Sequence, residues 1–413
     1  MVITMLKIKQ AVILAGGRGI RLAPITDNLP KPMVDINGKP FIQLIIEKLK
    51  DQGVSEVVIL TGYLGDLIEE YFVKNTISEL SIVCVRGPND WDTGQRIIEA
   101  KEFLDETFLL LYGDNYIDLR IDAILDTHLK SSKLFTMSVV KKSPGNLVVD
   151  KNGEATKYLI KRGEEKADLV EVGFNIIDRE ELCNNIIKNE LSLPKAYESI
   201  VRSNMVNTFN IPTFYLSISD LDRLAITREQ LKAKKIIFLD RDGVINVKAQ
   251  KGHYVSKSSD FKRIEVNWIA LEKLSKHGFE FIIITNQAGI ARGMLKQSDL
   301  EEIHKNMICE FESRGINLLS IYVCPHHWDE NCECRKPKAG MFFEAARDFK
   351  LQLSELLYIG DDERDEEAAT LAGCRFILIS QSNKTKTPEG NMQFENLDLA
   401  LPCILQLYDF PNK

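Results

Sequence analysis

Three cysteines and one histidine lie within eleven residues in the second half of the chain: Cys324, His326, Cys332 and Cys334. Four soft ligands at such short spacing are what a closed tetrahedral zinc site requires. We expect a structural zinc ion here, with His326 rather than His327 as the nitrogen ligand because of the Cys-x-His register. A disulfide is the weaker interpretation, because nothing in the sequence marks secretion.

The cationic pair Arg335-Lys336 follows this zinc loop directly. A metal that folds the loop would therefore also present two positive charges to an anionic substrate. The other cysteines lie inside or beside apolar segments and are expected to be ordinary buried thiols: Cys84, Cys183, Cys309 and Cys374. Cys403, near the C-terminal end, carries no signal.

A second chemical group begins where the apolar segment Ile236 to Leu239 ends in Asp240 and Asp242. Carboxylates at i and i+2 of a strand project to the same side, so one can act as a nucleophile and the other as an acid. Three later features follow predicted strands or the zinc loop: Thr285-Asn286-Gln287, Lys336 and Gly360-Asp361-Asp362. A parallel sheet would bring all of them to one edge, where they supply a hydroxyl, a cation and a metal ligand.

This order of motifs resembles the haloacid dehalogenase superfamily of phosphatases over nearly all of residues 236 to 380. The resemblance implies that Asp240 attacks phosphorus and that Asp242 protonates the leaving oxygen and then activates water. It further implies that Thr285 and Lys336 stabilise phosphoryl oxygens. Magnesium would be held by Asp240, the backbone carbonyl of Asp242 and Asp361, because a hard cation prefers oxygen ligands. Asp362 and Asp365 could equally be charged residues at the start of a helix.

The gaps between these motifs are too short for a separate lid domain. About 35 residues separate Asn246 from Phe281, and the interval from Thr285 to Lys336 is expected to hold one helix pair and the zinc loop. The zinc loop itself is therefore expected to read the substrate.

The second half also carries the runs Thr-Asn-Gln-Ala-Gly-Ile-Ala-Arg-Gly and Cys-Arg-Lys-Pro. Together with Cys-Pro-His-His they resemble the D,D-heptose 1,7-bisphosphate phosphatases. The resemblance makes Asn286 a substrate contact and Arg335 the partner of the second phosphate. Histidinol-phosphate phosphatases resemble the same segment, and the five-residue gap between His326 and Cys332 suits them at least as well.

A glycine-rich loop follows the first predicted strand and contains Gly16, Gly17 and Gly19. Glycines let the backbone approach phosphates closely, and Arg21 and Lys31 add positive potential. With Arg-Leu and Pro-Lys-Pro at this spacing, the loop resembles the sugar-1-phosphate nucleotidyltransferases. In that family a sugar 1-phosphate attacks the α-phosphate of a nucleoside triphosphate and releases pyrophosphate.

The resemblance assigns further roles in the first half. Arg21 and Lys31 would neutralise charge that develops on the phosphates. Asp114 matches the family's metal aspartate, and Gly94 lies in the segment that touches the base. Glu171 would hold sugar hydroxyls, and Lys161 would hold the sugar phosphate.

Two positions depart from the nucleotidyltransferase pattern. Ile20 stands where the family usually has threonine, and Ser217 lies where an Asp-Ile-Gly motif usually supplies a second metal ligand. Either one metal ion is sufficient for catalysis, or another acid such as Asp220 replaces the missing metal ligand, or the domain binds its substrates without catalysis. The sequence leaves these three interpretations open.

The elements that must position these residues are short Val-, Ile- and Leu-rich segments alternating with amphipathic segments of helix length. This alternation predicts an α/β protein with two Rossmann-like domains: a mixed sheet in residues 1–230 and a capless parallel sheet with a zinc loop in residues 231–413. Predicted strands include Gln10 to Leu14, Val57 to Thr61 and Phe108 to Leu111 in the first domain. Ile236 to Leu239, Phe279 to Thr285 and Leu357 to Ile359 are among those of the second.

Composition limits the remaining possibilities. A chain of 413 residues with 44% hydrophobic content is too long for one ordinary core. The formal net charge of -7 gives no basic footprint for nucleic acid. No signal peptide and no apolar stretch of 18 residues are visible, so we expect a soluble cytoplasmic protein that does not engage a membrane.

Joined, the two halves predict a bifunctional enzyme of nucleotide-activated heptose synthesis. The phosphatase would remove the 7-phosphate of D-glycero-D-manno-heptose 1,7-bisphosphate, and the transferase would join the resulting 1-phosphate to a nucleotide. GTP is the expected donor because of the resemblance to heptose 1-phosphate guanylyltransferases. The alternative is a histidinol-phosphate or other sugar-phosphate phosphatase whose N-terminal half binds nucleotide or sugar phosphate without catalysis.

Overall fold

The structure is a computed structural model that describes residues 7–118, 120–162, 167–380 and 392–408. The chain forms two compact units, Met1–Lys232 and Ala233–Lys413. Both are α/β, as the alternation of apolar and amphipathic segments predicts. Among the described residues, no helix combines the length and the apolar character needed to cross a membrane.

The first unit is built on a ten-stranded mixed sheet, with strand order β10-β9-β11-β8-β12-β6-β1-β4-β5 and β13 paired with β8. Strands β6, β1, β4 and β5 are parallel, whereas β12 runs antiparallel to β6. Two small two-stranded ribbons, β2-β3 and β14-β7, complete the unit. The strands are β1 Gln10–Ala15, β2 Asp35–Ile36, β3 Lys39–Pro40, β4 Glu56–Thr61, β5 Ser81–Arg86, β6 Thr107–Tyr112, β7 Asn115–Ile117, β8 Phe135–Lys141, β9 Leu147–Val149, β10 Ala155–Tyr158, β11 Leu169–Glu171, β12 Phe174–Asp178, β13 Val206–Asn210 and β14 Tyr215–Ser217.

Helices pack on both faces of this sheet because each carries an apolar stripe. In α1, for example, Phe41, Ile42, Ile45, Ile46 and Leu49 recur at helical spacing and are all buried. The helices of the unit are α1 Phe41–Asp51, α2 Gly65–Lys74, α3 Thr93–Glu99, α4 Ile121–Ser131, α5 Arg179–Lys188, α6 Leu193–Arg202 and α7 Leu221–Gln230.

The second unit has a six-stranded sheet in which every pairing is parallel, with the order β17-β16-β15-β18-β19-β20. All four residues of β15 are buried, as expected for a parallel strand covered on both faces. The strands are β15 Ile236–Leu239, β16 Glu280–Asn286, β17 Asn317–Cys324, β18 Leu357–Gly360, β19 Arg375–Ile379 and β20 Met392–Phe394. The helices are α8 Glu265–Lys276, α9 Gln297–Ser313, α10 Gly340–Phe349, α11 Glu363–Ala372 and α12 Leu397–Tyr408.

No lid domain interrupts the described part of the second unit. Between β15 and α8 the chain forms loops and one short 3-10 helix, Ser258–Asp260. Two expectations need correction. The interval from Thr285 to Lys336 holds one α-helix, α9, then strand β17 and the short 3-10 helix Trp328–Glu330, rather than a helix pair. Cys309 is exposed rather than buried, because it lies on the side of α9 opposite the buried Leu300, Ile303, Met307 and Phe311.

Candidate active sites

The predicted phosphatase residues of the second unit meet at the carboxyl-terminal edge of its parallel sheet. Asp240 follows β15, Thr285 lies near the end of β16, and Asp361 follows β18. These three strands are neighbours, with β15 in the centre. The chain order of the motifs therefore becomes one cluster, because parallel strands end at a common edge.

Lys336 reaches this cluster from the loop between β17 and α10. Its side chain is 3% exposed, and Nζ lies 2.7 Å from Asp240 Oδ1 and 2.7 Å from Asp365 Oδ1. Nζ also donates to the Ile284 carbonyl at 3.0 Å and to the Tyr358 hydroxyl at 2.7 Å. A buried ammonium with four oxygen partners is fixed in place, so its charge is held beside the carboxylate of Asp240.

The electrostatics of Asp240 reflect an excess of negative charge. The pKa of Asp240 is raised to about 8, first by burial, which Lys336 opposes, and then by the nearby carboxylates of Asp365 and Asp361. Burial also opposes the charge of Lys336, yet the carboxylates of Asp240 and Asp365 raise the pKa of its ammonium above the usual value.

The second carboxylate, Asp242, has a different environment. Arg241 Nη2 donates to both of its oxygens at 2.9 and 2.8 Å, and the amides of Asn246 and Gln287 donate at 2.9 and 2.8 Å. Burial opposes ionisation, but Arg241 and these hydrogen bonds hold the pKa of Asp242 below its usual value. The pKa values of the two aspartates are therefore shifted in opposite directions by their different surroundings.

Carboxylate oxygens of Asp240, Asp361 and Asp365 lie within 4.8 Å of one another, a donor set that suits a hard divalent cation. Asp361 fits the magnesium prediction, and Asp365 is an additional candidate ligand. The same Asp361 carboxylate accepts from Lys248 Nζ at 2.8 and 2.7 Å. Asp365 also accepts from the backbone amides of Asp361 and Asp362, so it is both a helix-start residue and a member of the cluster.

The zinc ligands predicted from sequence come together as a compact group. Cys324 Sγ lies 3.7 Å from His326 Nδ1 and 3.6 Å from Cys332 Sγ, and Cys334 Sγ lies 3.2 Å from His326 Nδ1 and 3.5 Å from Cys332 Sγ. A tetrahedron with zinc–sulfur bonds of about 2.3 Å has sulfur–sulfur edges of about 3.8 Å. The donor atoms fit zinc in type and spacing. His327 instead caps the short helix Trp328–Glu330.

A cavity of about 560 Å³ opens in front of Asp240 and Asp242. Its wall carries several cations, which suits a substrate with more than one negative group: Lys248, Lys251, Arg292, Arg335, Lys336 and Arg364. Arg335 also donates to the His326 carbonyl at 3.4 Å, so the zinc loop helps to orient it. Both members of the cationic pair after the zinc loop line the cavity, and Lys336 is buried among carboxylates.

Some contacts in this unit were not foreseen from the sequence. Asn286, predicted to contact substrate, lines the cavity, but its side-chain amide exchanges two hydrogen bonds with the backbone of Lys336, at 3.0 and 3.1 Å. Gln287 donates both to Asp242 and to the Thr285 hydroxyl. Tyr358 lies in a strand whose sequence predicts only a buried core position, and the neighbouring residues do not indicate that its hydroxyl contacts Lys336.

In the first unit, two of the predicted site residues, Lys31 and Asp114, form an ion pair that the sequence did not predict. Lys31 Nζ lies 2.5 Å from Asp114 Oδ2. Asp114 follows β6, and the amide of Gly113 donates to the Leu14 carbonyl at 3.0 Å. This bond places Asp114 beside the start of the glycine-rich loop.

The glycines of the loop differ in what they require. Gly19 has φ +63°, a left-handed conformation that favours glycine, whereas Gly17 lies in open space. Gly16 faces the side chain of Arg96. Gly94 is buried in α3, where a Cβ would collide with the Leu191 carbonyl, so packing alone already requires glycine there.

The remaining predicted residues of this unit are more scattered. Arg21 is exposed. The pKa of Asp220 is lowered mainly by hydrogen bonds from the Arg223 amide and the Ser219 hydroxyl, and the positive charge of Arg21 lowers it by a smaller amount. Glu171 is 4% exposed on β11, and burial raises the pKa of its carboxyl despite hydrogen bonds from Asn175, Tyr112 and Gly173. Lys161 is exposed after β10.

The segment that departs from the family pattern lies beside Asp114. Strand β14 pairs with β7, which puts Ser217 opposite Asn115, and the Ile218 amide donates to the Asp114 carbonyl at 3.0 Å. Ser217 Oγ accepts from Arg223 Nη1 at 3.1 Å. The carboxylate of Asp220 caps α7 and accepts from the Arg223 amide at 3.0 Å and from the Ser219 hydroxyl at 2.9 Å.

Both units match known protein families. The family model described as nucleotidyl transferase matches residues 10–172, and the one described as polynucleotide kinase 3 phosphatase matches residues 235–400. The D-glycero-beta-D-manno-heptose-1,7-bisphosphate 7-phosphatase of Haemophilus ducreyi is 34% identical over 186 residues, which cover 43% of this chain and 99% of that protein.

Two further similarities concern the same class of phosphatase. The D-glycero-alpha-D-manno-heptose-1,7-bisphosphate 7-phosphatase of Campylobacter jejuni is 39% identical over 166 residues, 40% of this chain and 91% of that protein. The crystal structure of D,D-heptose 1,7-bisphosphate phosphatase from B. bronchiseptica, complexed with magnesium and phosphate, is 32% identical and covers 42% of this chain and 98% of that chain, with a TM-score of 0.39.

Proposed function

The chain belongs to the family of the D-glycero-D-manno-heptose-1,7-bisphosphate 7-phosphatases through its second unit and carries a nucleotidyl transferase domain in its first, and on that premise we propose that it catalyses two successive steps of heptose activation. The second unit hydrolyses the 7-phosphate of heptose 1,7-bisphosphate. The first unit joins the remaining 1-phosphate to a nucleotide and releases pyrophosphate. The product of one reaction is thus the substrate of the other.

The observation that carries the phosphatase proposal is the meeting of Asp240, Asp242 and Lys336 at one cavity lined by cations. Asp240 lies 2.7 Å from the Lys336 ammonium, which holds its carboxylate in a fixed orientation for attack on phosphorus. The attack forms a phospho-aspartate and breaks the bond between phosphorus and the sugar oxygen; that oxygen takes a proton from Asp242. Water activated by Asp242 then attacks phosphorus, releases phosphate and frees the carboxylate of Asp240.

Asp242 needs a proton for the first step and must lose it for the second. Its hydrogen bonds from Arg241, Asn246 and Gln287 favour the ionised form in the free enzyme. An incoming phosphate carries negative charge, which raises the pKa of a neighbouring carboxyl and favours proton uptake. The hydrogen bonds then favour return of the proton once the phosphate has left.

We propose Mg²⁺ for the carboxylate cluster and Zn²⁺ for the cysteine and histidine cluster. The oxygen donors of Asp240 and Asp361 suit the hard cation, which when bound supplies positive charge to offset the substrate phosphate. Three sulfurs and one nitrogen suit a structural zinc ion. Thiolate ligands and nucleoside triphosphates are both maintained in the reducing cytoplasm, which is the compartment we propose.

In the first unit, the ion pair between Lys31 and Asp114 beside the glycine-rich loop supports nucleotidyl transfer. Asp114 is the proposed magnesium ligand, and Lys31 and Arg21 are proposed to neutralise the triphosphate. We propose GTP as the donor, on the sequence resemblance alone. Ser217 contacts Arg223 and Asp220 caps α7, so the proposal assigns neither of them to a second metal ion.

The experiment follows both products on the intact chain. Each anomer of heptose 1,7-bisphosphate, and histidinol phosphate, is supplied in turn, and phosphate release is measured. Pyrophosphate is then measured with heptose 1-phosphate and each of the four nucleoside triphosphates. The proposal expects phosphate from a heptose bisphosphate and pyrophosphate with GTP. Phosphate from histidinol phosphate alone, or triphosphate binding without pyrophosphate, would support the alternative of a phosphatase with a non-catalytic N-terminal unit.

A further inference from the structure

Arg96 is a buried arginine in the nucleotidyl transferase unit. It lies on the short helix α3 and is 6% exposed. Its Nη1 donates to the Thr61 carbonyl at 2.7 Å, and its Nη2 donates to the Pro88 carbonyl at 2.6 Å. Thr61 is the last residue of β4, and Pro88 lies just after β5, so one guanidinium joins two strand ends to α3.

Three glycines surround this guanidinium. A Cβ on Gly16 would lie 2.5 Å from Arg96 Nε, and a Cβ on Gly62 would lie 2.7 Å from both Nη1 and Nη2. A Cβ on Gly87 would lie 3.0 Å from Nη1. The glycines follow β1, β4 and β5, which are neighbours in the parallel part of the sheet. The backbone after each strand therefore touches the same side chain.

The position of this contact matters because ligands of open α/β sheets bind beyond the carboxyl ends of the strands. Gly16 is the first glycine of the glycine-rich loop. Glycine loses more conformational freedom on ordering than other residues, so a glycine-rich loop is costly to order. A loop that is already ordered binds its ligand more tightly, because no conformational entropy of the loop is lost on binding. The Arg96 side chain lies against Gly16, the first glycine of the loop, and is therefore placed to keep the loop ordered.

We propose that Arg96 is a positioning residue for nucleoside triphosphate binding, which holds the start of the glycine-rich loop against the ends of β4 and β5. The inference rests on the proposed nucleotidyl transfer and adds to it a residue that acts through the backbone of Gly16. Arg96 is not a catalytic residue, since it is almost completely buried and its two terminal nitrogens are both bound to carbonyls. Its effect therefore belongs to binding rather than to the chemical step.

The test uses the intact chain and the variants Arg96→Met and Arg96→Lys. Arg202→Met is the matched control, since Arg202 lies on α6 of the same unit and has a largely exposed side chain that forms an ion pair with Glu198. GTP binding is measured by calorimetry, and kcat and KM are measured from pyrophosphate release. The phosphatase activity of the same chain reports that the variants are folded in the other unit, and circular dichroism with a melting curve reports on the first.

Arg96→Met is expected to raise the Kd and KM for GTP by about 10-fold or more, with kcat within about threefold, as for loss of ground-state and transition-state binding together. Arg96→Lys is expected to recover part of the loss, because an ammonium can still bond to the Thr61 and Pro88 carbonyls. Arg202→Met is expected to behave as wild type. Equal Kd and KM for Arg96→Met and wild type would overturn the inference, and so would a loss confined to kcat.

A second measurement separates positioning from a general loss of folding. Gly16→Ala is made in the wild-type chain and in the Arg96→Ala chain, and the change in GTP affinity is compared. The three atoms nearest to the added Cβ all belong to the Arg96 side chain. The loss of GTP affinity caused by Gly16→Ala should therefore be smaller when Arg96 is truncated. Equal cost in both chains would contradict the contact.

The two proposals fail in different ways. A wild-type chain that binds GTP without releasing pyrophosphate would remove nucleotidyl transfer and leave the role of Arg96 in binding. Unchanged GTP binding in Arg96→Met, with normal pyrophosphate release, would remove the inference and leave the transfer. A chain that binds none of the four triphosphates would refute both.

Discussion

Replacement of Lys336 by Met tests the buried charge cluster of the phosphatase unit. The substitution keeps an unbranched apolar side chain but removes the ammonium that lies 2.7 Å from both Asp240 and Asp365. Removing one partner of a buried ion pair costs about 3–5 kcal/mol, because the remaining charge stays buried without compensation. A unit of this size loses about 2–4 °C in Tm for each kcal/mol, so a fall of about 6–20 °C is expected.

The pH dependence of this loss has a definite sign. Lys336 lowers the pKa of Asp240, so without Lys336 the folded pKa of this carboxyl lies above the value of about 8 that it has in wild type. A group whose folded pKa is raised loses stability as pH increases from its unfolded pKa to its folded pKa. In wild type this loss ends near pH 8, whereas in Lys336→Met it continues to higher pH, so the deficit of the variant relative to wild type is expected to be smaller at pH 7 than at pH 9.

Lys338→Met provides the matched control. Lys338 lies two residues away and forms an ion pair with Glu333 at 2.9 Å, but Glu333 is largely exposed, so its loss should cost less than about 1 kcal/mol at any pH. Thermal and denaturant unfolding of the three proteins at pH 7 to 9, in chelator, gives the comparison. Equal stability of Lys336→Met and Lys338→Met, or a larger deficit at pH 7 than at pH 9, would refute the reasoning about the buried cluster.

Three further outcomes are expected. Cys332→Ser should remove most of the zinc measured by mass spectrometry in the purified chain and weaken phosphatase activity through the zinc loop; unchanged zinc content would contradict the site. Asp242→Asn should slow phosphate release by about 10²–10⁴-fold, as expected for loss of a general acid and base, and a smaller effect than tenfold would remove it from that role. Lys31→Met should slow pyrophosphate release by about 100-fold and leave phosphate release unchanged, whereas equal loss of both activities would indicate misfolding.

Much of the phosphatase site could be predicted because its residues are tied to the ends of parallel strands. Asp240, Thr285 and Asp361 each follow a short apolar segment, and strands of one parallel sheet end at one edge. The zinc cluster could be predicted for a different reason, since its ligands are close in sequence and of the types that zinc prefers.

Other contacts depend on packing that the sequence does not display. Tyr358 reads as core because it lies in a buried strand, and only the fold shows its hydroxyl 2.7 Å from Lys336. Lys248 lies in a loop without a motif, yet it pairs with Asp361 across more than a hundred residues. Arg96 is one charged residue on a helix face, and its burial against Gly16 follows from how α3 meets three strand ends.

The most direct test of two successive activities is ³¹P NMR of the intact chain with heptose 1,7-bisphosphate, GTP and Mg²⁺, compared with an Asp240→Asn variant. The wild-type chain is expected to release phosphate and then form pyrophosphate and a nucleotide-linked heptose. Asp240→Asn is expected to release neither from the bisphosphate, but to form pyrophosphate normally when heptose 1-phosphate is supplied. Pyrophosphate formed from the bisphosphate by Asp240→Asn, or none formed from heptose 1-phosphate by the wild-type chain, would contradict the account.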